Sequence, residues 1–165
     1  MTRLTIPLLT VCLAVAAAGC GSSNSTAPTS SNLVVFTVNL LPSNETPPIT
    51  NGENVARGTA VITVHKDTNA IDFAVSLNSF PGGSALTAAH IHGPSAPAGV
   101  PAGVYVGTNL SAGNAPSLAS GSATFTDTES PGADKVAAIL ANPSQFYFNV
   151  HTTQNGGGVM RGQLQ

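Results

Sequence analysis

RGTAVITVHKDTNAIDFAVSL, residues 57–77, decides the fold. In its first half Ala60, Ile62 and Val64 fall on one side of an extended chain. DTN (67–69) interrupts the pattern, and AIDFAVSL (70–77) resumes it with Ile71, Phe73, Val75 and Leu77 on one side. A two-residue apolar period is that of a half-buried strand, and two such runs around a short polar turn make an antiparallel hairpin.

The same period extends outward in both directions. LVVFTVNL (33–40) predicts a strand, and LPSNETPPITNGEN (41–54), punctuated by Pro and Gly, predicts a loop. After the break FPGGS (80–84), ALTAAHIHG (85–93) predicts a strand, followed by the uncharged loop PSAPAGVPAG (94–103). VYVGTNL (104–110) and SGSATFTD (120–127) predict two more strands. ADKVAAILANP (133–143) is the one helical candidate: Val136, Ile139 and Leu140 form an i, i+3, i+4 stripe and Pro143 stops it. QFYFNVHT (145–152) predicts a strand with Phe146, Phe148 and Val150 on one face. NGGG (155–158) turns, and VMRGQLQ (159–165) closes the chain. Seven to nine short strands at this spacing predict an all-β protein, an antiparallel sandwich or barrel with one short helix, in a single domain over residues 33–165.

Composition narrows the function. Only 7% of the 165 residues are charged, the net charge is −2, and the five basic residues are scattered. No basic patch with interleaved aromatics is present, so nucleic acid is excluded as an expected partner. Abundant Gly, Pro, Ser, Thr, Asn and Ala is the composition of a β-rich exported protein.

The first residues, MTRLTIPLLTVCLAVAAAGC, fit export. Arg3 supplies a positive start and Ile6 to Ala18 an apolar segment too short to span a bilayer as a helix. Residues 1–19 are therefore expected to be a signal peptide. The AAGC ending resembles a bacterial lipobox, with Ala17 where Leu is usual. That resemblance implies that Cys20 becomes the first mature residue and carries acyl chains, the membrane being a partner through that lipid. Gly21 rather than Asp after the cysteine implies the outer membrane. An ordinary cleaved signal with an incidental cysteine is the alternative. The only other cysteine, Cys12, lies in the removed segment, so the mature chain has no thiol to pair with Cys20 and none for a metal. GSSNSTAPTSSN (21–32) predicts a flexible tether with a reach of about 20 Å.

Three histidines remain to be explained. In a strand His90 and His92 share a face, and in QFYFNVHT the face opposite Phe146, Phe148 and Val150 carries Tyr147, Asn149 and His151. All three imidazoles therefore point away from the core, and they converge if the two strands are neighbours. Three imidazoles suit copper or zinc with an open fourth position. The alternative is structural: polar side chains that hydrogen-bond loops and hold the RGQ segment (161–163) in place. Arg161 reads similarly, as an anion contact or as a fork of hydrogen bonds to backbone carbonyls or to a carboxylate such as Glu45. No residue is assigned a catalytic role: no serine sits in a nucleophile-elbow context, and NGGG lies between strands rather than before a helix.

Several segments together resemble the CHRD domain, named for chordin: ETPP (45–48), RGTAVITVHKDTNAIDFAVSL (57–77), TAAHIHGP (87–94), FYFNVHT (146–152) and GGVMRGQLQ (157–165). The resemblance covers about residues 33–165. It implies an immunoglobulin-like β-barrel, expected for the family from a faint likeness to copper/zinc superoxide dismutases, and it implies no general bacterial activity. The sequence departs from the usual pattern at GGGVMRG, where relatives often carry an acidic residue before the arginine. In superoxide dismutases an HxH pair also holds copper. Here the loop 94–103 has no His or Asp for a zinc site, and His65 is remote in sequence, so a full dismutase site is not encoded. The expected function is a lipid-anchored, non-enzymatic binding or structural module of the cell envelope. The alternative is a copper- or zinc-binding domain built on His90, His92 and His151, with redox activity.

Overall fold

Alternation in the first hairpin becomes two layers in three dimensions. The structure is a computed structural model that describes residues 31–165. The signal peptide, Cys20 and most of the tether lie outside the described residues. Among the described residues no helix is long and apolar enough to cross a membrane.

Among the described residues the strands are β1 (Leu33–Leu40), β2 (Arg57–His65), β3 (Ile71–Asn78), β4 (Leu86–His92), β5 (Val104–Gly107), β6 (Ala123–Glu129), β7 (Tyr147–Thr152) and β8 (Met160–Gln163), with one α-helix, α1 (Ala133–Ala141), and three short 3-10 turns. They form two four-stranded sheets, ordered β1-β2-β3-β6 and β5-β4-β7-β8, and every pairing is antiparallel. The expected all-β sandwich with one short helix is the observed fold. The second sheet is assembled from segments far apart in sequence, so β4 lies beside β7 although 54 residues separate the end of one from the start of the other (Tyr147 follows His92 by 55).

The hairpin closes as its residues dictate. His65 N–H donates to Ala70 O, and Asn69 takes the left-handed conformation at φ 57°, which Asn tolerates through its short polar side chain. Phe36, Val38, Ile62, Phe73 and Val75 line the inner face of the first sheet, and Ala89, Ile91, Phe148 and Val150 that of the second. Phe73 and Phe148 stack across the interlayer space with centroids 5.6 Å apart. Helix α1 adds Val136 and Ile139 to the same core.

Most elements fall within two residues of their sequence-predicted ends; β5 and β6 depart by three at one end. β5 stops at Gly107 because the chain then turns to the first sheet, where Asn109 N–H and its amide donate to the Asp127 carboxylate. β6 begins at Ala123 rather than Ser120 because Gly121, at φ 77°, packs on the backbone of Phe80 and accepts its N–H.

At the opposite side the sandwich is sewn shut. Leu41 and Arg161 exchange backbone hydrogen bonds of 3.2 and 3.3 Å, linking the end of β1 to β8. Gly162 makes this approach possible, since a Cβ there would fall inside van der Waals contact of the Asn39 carbonyl oxygen. The substitution Gly162→Ala is expected to lower stability as much as a core truncation does. Phe148→Ala is the reference, at about 3–5 kcal/mol. Urea unfolding of both variants checks this; a Gly162→Ala midpoint within error of the unaltered protein contradicts a closed seam.

Candidate functional site

Strand β7 is buried at all six positions, so the second sheet has no wet face along it. The side opposite the core is roofed by three loops: residues 41–48, the uncharged loop 94–103, and the turn 153–158. The three histidines do point away from the apolar core. That side is not open to solvent: His92 and His151 are only 7% and 8% exposed, and His90 is half-buried.

Register explains the convergence. His92 pairs with Tyr147, His90 with Asn149, and Ala88 with His151. The small Ala88 side chain leaves space above β4 beside His151, and the His90 ring reaches it diagonally. His90 Nδ1 lies 3.2 Å from His151 Nε2, with ring centroids 4.9 Å apart. His92 is edge-on to His90 at 5.6 Å and 6.1 Å from His151. One nitrogen from each ring lies within 4.8 Å of the other two.

Backbone carbonyls settle which nitrogens carry protons. His92 Nδ1 lies 2.8 Å from Ala102 O, and His151 Nδ1 lies 3.0 Å from Gly156 O. A carbonyl only accepts, so both Nδ1 atoms carry hydrogen and both Nε2 atoms carry a lone pair. With Nε2 unprotonated, His151 accepts from His90 Nδ1–H, and the Asn149 side-chain oxygen stands 3.0 Å from the same Nε2. His92 Nε2 is buried with no hydrogen-bond partner. An orphaned buried lone pair is uncommon in a folded protein and calls for an explanation.

The roof is held by the same residues. Tyr147 Oη accepts from Ala102 N–H, so His92 and Tyr147 together clip the loop 94–103 at Ala102. The Gln163 amide donates to the Ala96 carbonyl, and Thr46 Oγ1 donates to Gly99 O. Arg161 is 3% exposed. Its Nε donates to Asn44 O at 2.6 Å, its Nη2 to Thr46 Oγ1, and its guanidinium lies 4.5 Å over the Tyr147 ring. Glu45 Oε2 is 3.8 Å from Arg161 Nε. Both groups also line a cleft of about 760 Å³ beside the seam.

Alternation placed Asn149 beside His151 but does not reach two buried carboxylates on loops, of which Glu45 is the one expected near Arg161. Glu45 hydrogen-bonds Asn149, whose side-chain oxygen also sits 3.0 Å from His151 Nε2. Gly158, at φ 126°, leaves room for them, since a Cβ there would strike both Asn149 and Glu45. Glu53 is fully buried, accepting from Thr152 Oγ1 at 2.6 Å and from the Asn155 amide. Neither glutamate lies on a strand; the only signal was an acid inside a Pro/Gly-rich loop. His65 stands apart on the first sheet, 2.7 Å from Asp72.

Burial dominates the protonation of the site. It pushes His90 down to about 4, with the nearby His151 and His92 adding to the fall. It also lowers His92 and His151, against the hydrogen bonds of His92 to Ala102 and His151 to Gly156. It pushes Glu45 up to about 7 although Arg161 draws it down. At neutral pH the three rings are uncharged, the form in which imidazole binds a metal.

The family profile of the CHRD domain matches residues 36–164. The chain belongs to the CHRD domain family, as an all-β sandwich whose polar face is enclosed by loops. No curated protein and no solved structure shows a significant match to the chain.

The titrations oppose each other. The buried histidines favour stability above their ordinary value of 6.5, and that contribution is lost as pH falls toward about 4. Glu45 favours stability below its ordinary value of 4.5, and that contribution is lost as pH rises through about 7. Stability is therefore expected to fall between pH 6.5 and 4.5, and to fall more steeply in Glu45→Gln, where the opposing proton uptake is removed. Urea midpoints across this range test it; equal slopes in the two proteins rule it out.

Proposed function

We propose that this protein is a lipid-anchored, non-enzymatic binding module of the bacterial cell envelope, held at the membrane by acyl chains on Cys20. The AAGC motif, the charge-free segment 21–32 and a CHRD domain that begins directly after it support this reading. The observation that carries the binding role is the enclosed polar face of the second sheet. His92, Asn149, His151 and Arg161 are each under 9% exposed and hold three loops in place, next to a cleft large enough for a ligand. In cells, Cys20→Ser is expected to move the protein from the membrane pellet to the soluble fraction and to abolish incorporation of labelled palmitate. Unchanged membrane retention together with unlabelled wild-type protein refutes the anchor.

A specific observation favours a second reading, that the ligand is a copper or zinc ion held by His90, His92 and His151. His92 Nε2 is buried and unpartnered, and the Nδ1 atoms of His92 and His151 are already bonded to carbonyls. That is the outer-shell arrangement that orients metal-bound histidines. A tetrahedral centre with bonds of 2.0–2.1 Å needs nitrogens roughly 3.4 Å apart. The His90–His151 pair stands at 3.2 Å, and the full set within 4.8 Å. Metal analysis of the purified protein is expected to find about one copper or zinc per chain, and almost none in His90→Ala. Equal contents in the two proteins remove this reading and leave the envelope module standing.

A further inference from the structure

Charge around the triad distinguishes between the ions that imidazole can hold; the inference below rests on the metal reading of His90, His92 and His151. All three donors are neutral, and no carboxylate is among the grouped ligands. The mature chain offers no thiolate other than Cys20, which lies outside the described domain. A cation is nevertheless built in close by. The His92 ring stacks parallel on Tyr147, centroids 4.8 Å apart, and the Arg161 guanidinium lies 4.5 Å from the Tyr147 centroid. β4 and β8 flank β7, so imidazole and guanidinium meet the phenol ring from its two sides. One aromatic ring therefore separates the site from a buried positive charge. Glu45, the carboxylate beside Arg161, faces Arg161 and Asn149.

Repulsion from a fixed charge scales with the charge of the incoming ion, and it is weakly screened in a buried setting. A dication placed among neutral ligands also keeps its full charge, which costs more in a low-dielectric site than a single charge does. We propose that the ion this site takes is a monovalent d¹⁰ cation, Cu(I), in preference to Zn(II). Three imidazoles complete a three-coordinate ion without a fourth ligand, whereas zinc in such a set takes a water.

Loading also requires a tautomer change at one residue. In the unloaded site the His90 Nδ1 proton points at His151 Nε2, where an ion would sit. His90 presents a lone pair to the ion only by carrying its proton on Nε2. His92 and His151 need no change, because their Nδ1 protons are on carbonyls.

The test uses the metal-stripped full chain with Cys12→Ser and Cys20→Ser, so that no thiol competes. Cu(I) is titrated without oxygen against a chromophoric chelator, Ag(I) serves as its redox-inert counterpart, and Zn(II) is titrated in parallel. Expected is one Cu(I) or Ag(I) per chain, bound at least 100-fold more tightly than Zn(II). Ag(I) binding should be lost in His92→Ala and unaffected in His65→Ala. Imidazole ¹⁵N spectra of the wild-type histidines should show His90 alone moving from Nδ1–H to Nε2–H as Ag(I) is added, a readout that needs no variant to fold. Zinc bound as tightly as silver overturns the monovalent preference and leaves the metal reading intact. No binding of any of the three ions overturns both. Silver binding that survives His92→Ala, or that leaves the His90 tautomer unchanged, overturns the assignment to this site.

Discussion

The second sheet is buried on both sides, and the rest of the molecule follows from that constraint. One side packs Ile91, Phe148 and Val150 against the first sheet, where transfer of apolar surface from water stabilises the contact whatever the details. The other side is covered by loops instead of water. Every polar atom there has to find a partner within the protein, since a buried donor or acceptor left alone costs about 1–3 kcal/mol. The chain of contacts from Ala102 through His92, Tyr147 and Arg161 to Asn44 and Thr46 is the solution to that requirement.

Seen this way, the structural and ligand-binding accounts of the histidines share one cause. A histidine whose Nδ1 proton is fixed on a carbonyl both holds a loop and presents Nε2 in a defined direction. His151 uses its Nε2 to accept from His90, which closes the network locally. At His92 the network does not close in the same way: its buried Nε2 makes no hydrogen bond of ordinary geometry, although the Asn149 side chain lies close enough to act on the ring. The loops therefore matter to the site as more than a cover: they set the Nδ1 protons of His92 and His151, and their carbonyls are supplied by residues with small side chains, Ala102 and Gly156.

The seam between β1 and β8 ties this roof to the core. Arg161 pairs through its backbone with Leu41 and through its side chain with Asn44 and Thr46, so a single residue joins sheet edge, loop and aromatic stack. Gly162 next to it gives up a side chain so that the backbones can meet. The GGVMRGQ run thus combines two demands, close approach at the glycine and a buried guanidinium at the arginine.

Alternation alone was enough to locate the strands, the hairpin and the inward faces, because a two-residue period records which side of a strand meets apolar neighbours; the helix came from its i, i+3, i+4 stripe. Alternation also placed His90, His92 and His151 on a common, non-core side. Periodicity is silent on what lies over that side. FYFNVHT reads as one buried and one wet face, and only long-range packing of loops 41–48, 94–103 and 153–158 made both faces dry. Glu45 was legible as a carboxylate for Arg161, but its burial and that of Glu53 were not, for the same reason: a loop residue has no period, and its burial depends on which distant strand it lands on. The pairing of β4 with β7, and with it the diagonal reach from His90 to His151, likewise exists only once strands far apart in sequence are brought side by side, since hydrogen-bond register between them is decided by the packing of whole sheets.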